Sequence, residues 1–445
     1  YMFFNLQNLN SIDVSNFDTS KVNDMNSMFS GCKNLKSIDV SKFNTKFVSR
    51  MDNMFYNCGN LTKIEVSNFD TSQVSDFTSM FNGCSSLTSL DVSKFDTKFI
   101  RSMAYMFSGC SKLESLNLKN FLTIQVKEFS FMFNSCKRLK YLDLSNFDTT
   151  NAETIDSMFN ECISLTSLDI SNFKTVQIQD MSNLFSHCSS LTSLNIKHFN
   201  TSKVTKMDYM FSNLEKVTEL DLSNFEVEKT TTMTCMFQNC FSLTSLNLKN
   251  FNTTSLTNAY RLFDSCKALK NIDLSNFKAD LIYEFGYMFN GCSSLTSLDL
   301  SNFNTLSATT MYDMFNGCTS LTSLDLSSFV INKVYNMEEM FMNCNSLKFI
   351  KFSQASRTNE LKFMDKIFSG CTSLESLDLS FFDTSKVINM ESSFYECSSL
   401  TSLEISSFKT TKDSNLKYMF YSCSSLTSLN LPNFDTSGID DENLS

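Results

Sequence analysis

The stretch Cys292-Ser293-Ser294-Leu295-Thr296-Ser297-Leu298-Asp299-Leu300-Ser301-Asn302-Phe303 decides the fold. From Ser297 to Ser301 polar and apolar residues alternate, the period-two signal of a strand with one buried face. The phrase recurs along the whole chain. Cys32, Cys58, Cys84, Cys110, Cys136, Cys162 and Cys188 are each 26 residues apart, and Leu214 takes the next place. The series resumes at Cys240, Cys266, Cys292, Cys318 and Cys344, and one inserted residue shifts it to Cys371, Cys397 and Cys423. With Leu6 in the equivalent place at the start, this makes about 17 coils of 26 residues. Such a fixed period is the mark of a solenoid.

One unit reads C-x-x-L-x-x-L-x-L-x-x-F-x-T-x-x-V-x-x-M-x-x-M-F-x-G. Its second half changes period: Val48, Met51, Met54 and Phe55 are spaced three, three and one, which predicts one face of a short helix. The Thr and Ser before it, as in Asp70-Thr71-Ser72, read as N-caps. The residue before the Cys place is often Gly or Asn (Gly31, Gly83, Asn57, Asn213), which suits the left-handed residue that ends a helix. The expected fold is therefore an α/β repeat solenoid, leucine-rich-repeat-like, with a parallel sheet on one face and short helices on the other. A single solenoid over 1–445 is expected, uncapped at both ends, with an irregular coil at 352–368 read as a bulge. Phe recurs at the strand exit and at the end of the second half, so both columns are core ladders. At ~4.8 Å per strand, such a stack would span roughly 80 Å.

Composition agrees with one reused coil. The 445 residues contain 45 Phe and 24 Met but only 9 Gly, 1 Pro and no Trp, whereas varied globular turns call on Gly and Pro throughout. Net charge is −10 with no basic stripe, which argues against nucleic acid as a partner. No apolar run is long enough to span a bilayer.

The phrase Ser294-Leu295-Thr296-Ser297-Leu298-Asp299-Leu300-Ser301-Asn302-Phe303 resembles the BspA-like, mycoplasma-type surface-protein repeat, and the likeness covers essentially all of the chain. The resemblance implies a leucine-rich solenoid on secreted or cell-surface proteins, often implicated in adhesion, and it implies no catalytic residues. The period here is stricter than the family pattern, and no anchor or cap is recognisable.

Chemistry has few places to reside. His187 and His198 lie in different parts of one coil and form neither a triad nor a metal motif. The Cys spacing lacks the close pairs that zinc requires. It admits two readings: a buried thiol ladder, or pairwise disulfides between neighbouring coils.

The best candidate surface is the strand face. Its outward column carries Asp13, Asp39, Glu65, Asp91, Asp143, Asp169, Asp221, Asp273, Asp299, Asp325, Asp378 and Glu404, twelve acidic residues among seventeen coils. Carboxylates ~5 Å apart repel by roughly 0.8 kcal/mol per neighbour in water, unless hydroxyls or cations offset it. The column is either a strip for a glycan, a basic partner or calcium, or a solubilising face copied with the repeat. No other cofactor is expected, and no enzyme.

Partners on this reading are a host or matrix protein, a glycan, or other copies of the chain. For the last, the apolar ends Met2, Phe3, Phe4 and Leu429, Leu431, Phe434 would stack head to tail into an extracellular filament or coat.

Overall fold

The computed structural model describes residues 1–353 and 355–444. They fall into two compact units, Tyr1–Val217 and Thr218–Ser445, each built from the same coil. The recurring spacing of three in the sequence is turn spacing. In one coil of the first unit, the amides of Leu87, Phe95, Ile100, Met106, Ser108 and Cys110 each donate to the carbonyl three residues earlier, at 3.0–3.1 Å. The coil is thus a polygon of tight turns whose apolar corners point inward.

Between the first two turns runs a short strand. In the first unit these are β1 (Ser37–Ile38), β2 (Lys63–Ile64), β3 (Tyr141–Asp143) and β4 (Ser167–Asp169). In the second they are β5 (Glu219–Asp221), β6 (Ser245–Asn247), β7 (Ser323–Leu326), β8 (Phe349–Phe352), β9 (Ser376–Asp378) and β10 (Ser402–Glu404). Neighbours pair in parallel and in register, Leu142 opposite Leu168 and Asp143 opposite Asp169, so each column of the repeat becomes a column in space. The expected strand and parallel pairing are present.

The expected short helices are not. Among the described residues the only helical element is a 3-10 turn at Asp441–Asn443. Where the spacing three-three-one predicted a helix, Ser79 and Gly83 sit at φ 56° and 73°, four residues apart, and this pair recurs in coil after coil. A helix needs φ near −63° throughout. Instead this leg is a row of turns with positive φ at the third residue, the signature of type II. Alternate amides close those turns, and the others reach the next coil. Phe77, Ser79, Phe81 and Gly83 donate to the carbonyls of Ser102, Ala104, Met106 and Ser108 at 3.1, 2.9, 3.0 and 2.7 Å. A helix would consume these amides internally; the turns release half of them as a second parallel ladder. Residues three apart share a face in both arrangements, which is why the apolar pattern does not separate them.

Three side-chain columns join the coils. The Thr of F-x-T is buried and is not an N-cap. Thr149 Oγ1 donates to the Lys174 carbonyl at 2.9 Å and accepts from the Lys174 amide at 2.7 Å, so one hydroxyl completes two backbone bonds of the next coil. Thr45, Thr97, Thr253 and Thr384 repeat the arrangement. Where an Asn precedes the strand-exit Phe it pegs the preceding coil, as Asn146 Nδ2 does on the carbonyls of Leu118 and Phe121 at 3.1 and 2.9 Å. Along the column the thiols donate to the carbonyl of a Phe one coil back, as Cys84 does to Phe55 at 3.2 Å and Cys110 to Phe81 at 3.3 Å.

Burial pushes the thiols of Cys58, Cys110 and Cys162 up to about 12. The thiol ladder therefore predicts slow labelling by a maleimide in the folded protein. After denaturation without reductant, all 16 cysteines should label; a shortfall by pairs would mean disulfides.

The core is aromatic. In the first unit Phe29, Phe55, Phe81, Phe107, Phe133, Phe159 and Phe185 form a stack with neighbouring ring centroids 5.6–6.1 Å apart and planes within 12°. In the second, Phe263, Phe289, Phe315 and Phe341 continue the same device at 5.4–5.7 Å.

The irregular coil at 352–368 takes up its extra residue ahead of Thr358, which again clasps the next coil through Asp383. Ser356, and not Ala355 as the spacing suggests, takes the buried strand-exit corner, its amide donating to the Ser353 carbonyl at 3.3 Å while Ala355 is exposed, and Phe352 fills the core, edge-on to Phe341 at 6.1 Å. Gln354, also in this coil, lies outside the described residues.

Candidate functional site

All twelve predicted carboxylates occupy one position relative to their strands, between the two inward apolar residues. Each accepts the amide of the serine two residues on, at 2.9–3.1 Å. The side chain thereby holds the turn that leads from the strand to the Phe corner, as a local carboxylate-to-backbone cap does. The Ser93 hydroxyl and amide keep Asp91 below the usual carboxylate range, and Ser41 does the same for Asp39. The Ser327 hydroxyl and amide, helped by Lys351, bring Asp325 to about 2. The Lys351 ammonium lies 3.0 Å from Asp325 across the β7–β8 register. The expected mutual repulsion is thus offset by serine hydroxyls and amides and by nearby lysines, Lys351 in direct contact with Asp325.

Register brings the column together in pairs, Asp143 beside Asp169 and Asp378 beside Glu404. A shallow depression of about 430 Å³ opens on the strand face of the first unit. Ile64, Glu65, Leu90 and Asp91 line it, with Lys63, Ser89, Ser93, Ser115 and Asn117 around them. Among the described residues no group of three or more His, Cys, Asp or Glu side chains is arranged to hold a metal ion. His198 Nε2 lies 3.0 Å from the Ile170 carbonyl, in the place of a peg asparagine.

The predicted stacking residues lie on open edges of their own units. Met2 and Phe4 are 69% and 51% exposed, while Phe3 is half-buried on Phe29 at 5.3 Å. Leu429 is half-buried. Leu431 and Phe434 line an apolar hollow of about 370 Å³ with Leu416, Met419 and Phe420.

One cluster breaks the repeat and escaped the sequence reading. In the second unit the Arg261 guanidinium lies 4.2 Å from the Tyr287 ring centre and 3.0 Å from buried Asp264, and Tyr312 meets Tyr287 edge-on at 5.3 Å. Gly286 makes room, since a Cβ there would stand 2.7 Å from Tyr312 Cζ. The only signal was that glycine in a position where neighbouring coils carry tyrosine.

Beside the cluster, burial raises Asp313 to about 6 although Asn316 donates to it at 2.7 Å. The folded state holds this proton more tightly than the unfolded chain, so the stabilisation is full below the ordinary carboxylate value and is lost as pH rises through about 6. Asp313→Asn is expected to stabilise the second unit by ~1–2 kcal/mol at pH 7.5 and to change little at pH 4, read by urea unfolding.

These features define the class: a β-solenoid of leucine-rich-repeat type, assembled from turns and parallel ladders. The chain belongs to the family described as Mycoplasma protein of unknown function, DUF285, whose repeats match residues 1–89, 60–168, 161–277, 244–354 and 348–444. That match bears out the resemblance to mycoplasma-type repeats.

Among solved structures it is similar to a leucine-rich repeat protein from Bacteroides ovatus, at 20% identity and TM-score 0.33, over 67% of this chain and 78% of that one. A leucine-rich repeat protein from Eubacterium ventriosum is similar at 14% identity and TM-score 0.33, over 71% and 78%. A leucine rich cell surface protein from Faecalibacterium prausnitzii is similar at 15% identity and TM-score 0.26, over 87% and 76%. No curated protein matches. No helix among the described residues is long and apolar enough to cross a membrane.

Proposed function

We propose that this chain is a binding module presented outside the cell or on its surface, and that its ligand lies along the strand face. The observation that carries the reading is the mostly polar depression of about 430 Å³ around Glu65 and Asp91, rimmed by Ser89, Ser93 and Ser115. Each carboxylate gives one or two acceptor positions to the amide and hydroxyl of its turn serine, and a carboxylate has about four. The face therefore offers acceptors to a ligand rich in donors: the hydroxyls of a glycan, or basic side chains of a host or matrix protein. Holding those acceptors in a fixed row lowers the ordering cost of binding. The role is recognition without catalysis.

Arrays of glycans and matrix proteins, probed with the whole chain, test the reading. A bound component should lose at least tenfold in affinity when Glu65→Gln and Asp91→Asn are combined. Equal binding by the double variant removes the strand face from the account. Calcium is the cofactor such a column would take, and a higher melting temperature in millimolar calcium than in chelator is the expected sign; no difference leaves the column to turn capping and ligand contact.

A second reading, end-to-end stacking of copies, draws on the exposed Met2 and Phe4 and on the hollow at Leu431 and Phe434. A further coil laid on either edge would cover them, from this chain or another copy. Concentration-dependent mass by light scattering, abolished by Phe434→Asp, is its expected sign.

A further inference from the structure

We propose that a groove on the turn edge of the first unit docks an acidic, apolar peptide segment of a partner protein. The edge is formed by the turns that follow the buried threonines. Thr97–Ile100 carries Lys98 and Phe99 at its corner, and Thr123–Val126, one coil on, carries Ile124. In several coils the residue before the threonine caps its turn: Asp70 accepts the Ser72 amide, Asp96 the Lys98 amide and Asp148 the Thr150 amide, at 2.9–3.0 Å. Leu122 stands in that place and has no acceptor to offer. The coil gives up a cap and gains an apolar side chain directed at solvent.

Leu122, Phe99 and Ile124 are 57%, 54% and 39% exposed. Together with Lys98 and Arg101 they line a groove of about 760 Å³. Phe47, Val176, Leu281 and Leu306 are exposed at equivalent corners of other coils, but here Leu122 adds a third apolar residue beside Phe99 and Ile124, which makes a contact patch and not scattered surface apolarity.

Charge identifies the occupant. Arg101 and Lys98 form no ion pair among the described residues, whereas Lys127, the equivalent of Arg101 one coil on, pairs with Glu153 at 2.7 Å. Lys98 instead lies over the Phe99 ring at 5.2 Å, so a cation is held at the apolar rim. In a chain of net charge −10, two unpaired cations flanking an apolar groove complement a segment that brings carboxylates beside a Leu or Phe. The groove is lined from three neighbouring coils, which suits a few extended residues rather than a surface.

The test is an array of synthetic nine-residue peptides varying independently in Asp/Glu, Lys and Leu/Phe content, probed with the full chain. Retention should require both acidic and apolar residues. It should fall at least tenfold for Leu122→Asp, which restores the cap used by other coils, and for Lys98→Ser with Arg101→Ser. Asp91→Asn, on the strand face, should leave it unchanged, so this proposal and the strand-face reading fail separately. Retention that follows one property alone, that persists in Leu122→Asp, or that is absent overturns the proposal. So does binding to phosphatidylserine vesicles with no retention on the array.

Discussion

Phe133→Ala is expected to destabilise the first unit by about 3–5 kcal/mol, the range for deleting a fully buried aromatic side chain. Phe133 is wholly buried between Phe107 and Phe159, with ring centroids 5.8 and 5.9 Å away. Truncation loses its apolar burial and both stacking contacts, each of order 0.5–1.5 kcal/mol beyond area. The coils above and below are held at ladder spacing by their backbones, so they cannot close over the void. In a repeat stack each coil rests on its neighbours, and the loss should interrupt cooperativity as well. Urea unfolding read by circular dichroism should show a lower midpoint and a broadened or split transition. Phe133→Leu should recover about half of the loss. A change below ~1 kcal/mol for the alanine variant would mean that the stack is not what holds the coils together.

Thr149→Val is the second large effect, expected at about 2–5 kcal/mol although the two side chains have nearly the same shape. The hydroxyl both donates to and accepts from the Lys174 backbone. Valine leaves that part-buried amide and carbonyl without their partner, and an unsatisfied group costs up to ~1–3 kcal/mol each where water cannot reach it. Thr149→Ser keeps both bonds and should cost no more than ~1 kcal/mol. The second unit contains a natural control. Ile331 stands in the threonine place, and there the Arg357 amide bonds Asn332 Oδ1 at 3.0 Å instead. The apolar residue is tolerated where a neighbour supplies the acceptor, and the prediction for Thr149 rests on no such neighbour being present. Denaturant midpoints for the three proteins decide it; a valine variant as stable as the serine variant would contradict the clasp.

Much of this architecture was legible from the repeat alone. The spacing of the cysteines, the alternation at Ser297–Ser301 and the paired Phe columns give the coil, its strand and its core. The second half of the coil was not legible by the same means, because Val48, Met51, Met54 and Phe55 fit a helical face and a row of turns equally well. What separates them is backbone conformation four residues apart, at Asn53 and Asn57 or Ser79 and Gly83. Asn and Gly advertise such positions, but Tyr105, Phe131 and Arg261 occupy the same place at positive φ and hide the pattern. Inter-coil hydrogen bonds compensate for their strain, and those are invisible in a single coil.

The site was half legible. The acidic column was found residue by residue, while its bond to the serine two places on was read only as a flanking small residue. The threonine clasp was taken for a helix cap because both uses put a hydroxyl beside a free amide. The asparagine pegs were passed over because the eye follows the Phe that comes after them. Leu122 is the reverse case: a departure from the repeat that has meaning only once exposure shows it facing solvent.

The most direct test of the account is amide hydrogen exchange of the whole chain, free and bound to whichever array component it retains. Binding along the strand face predicts protection centred on residues 63–65, 89–93 and 115–117, with the turn edge and the second ladder unchanged. Protection confined to those other faces, with the strand column exchanging as in the free protein, would contradict it.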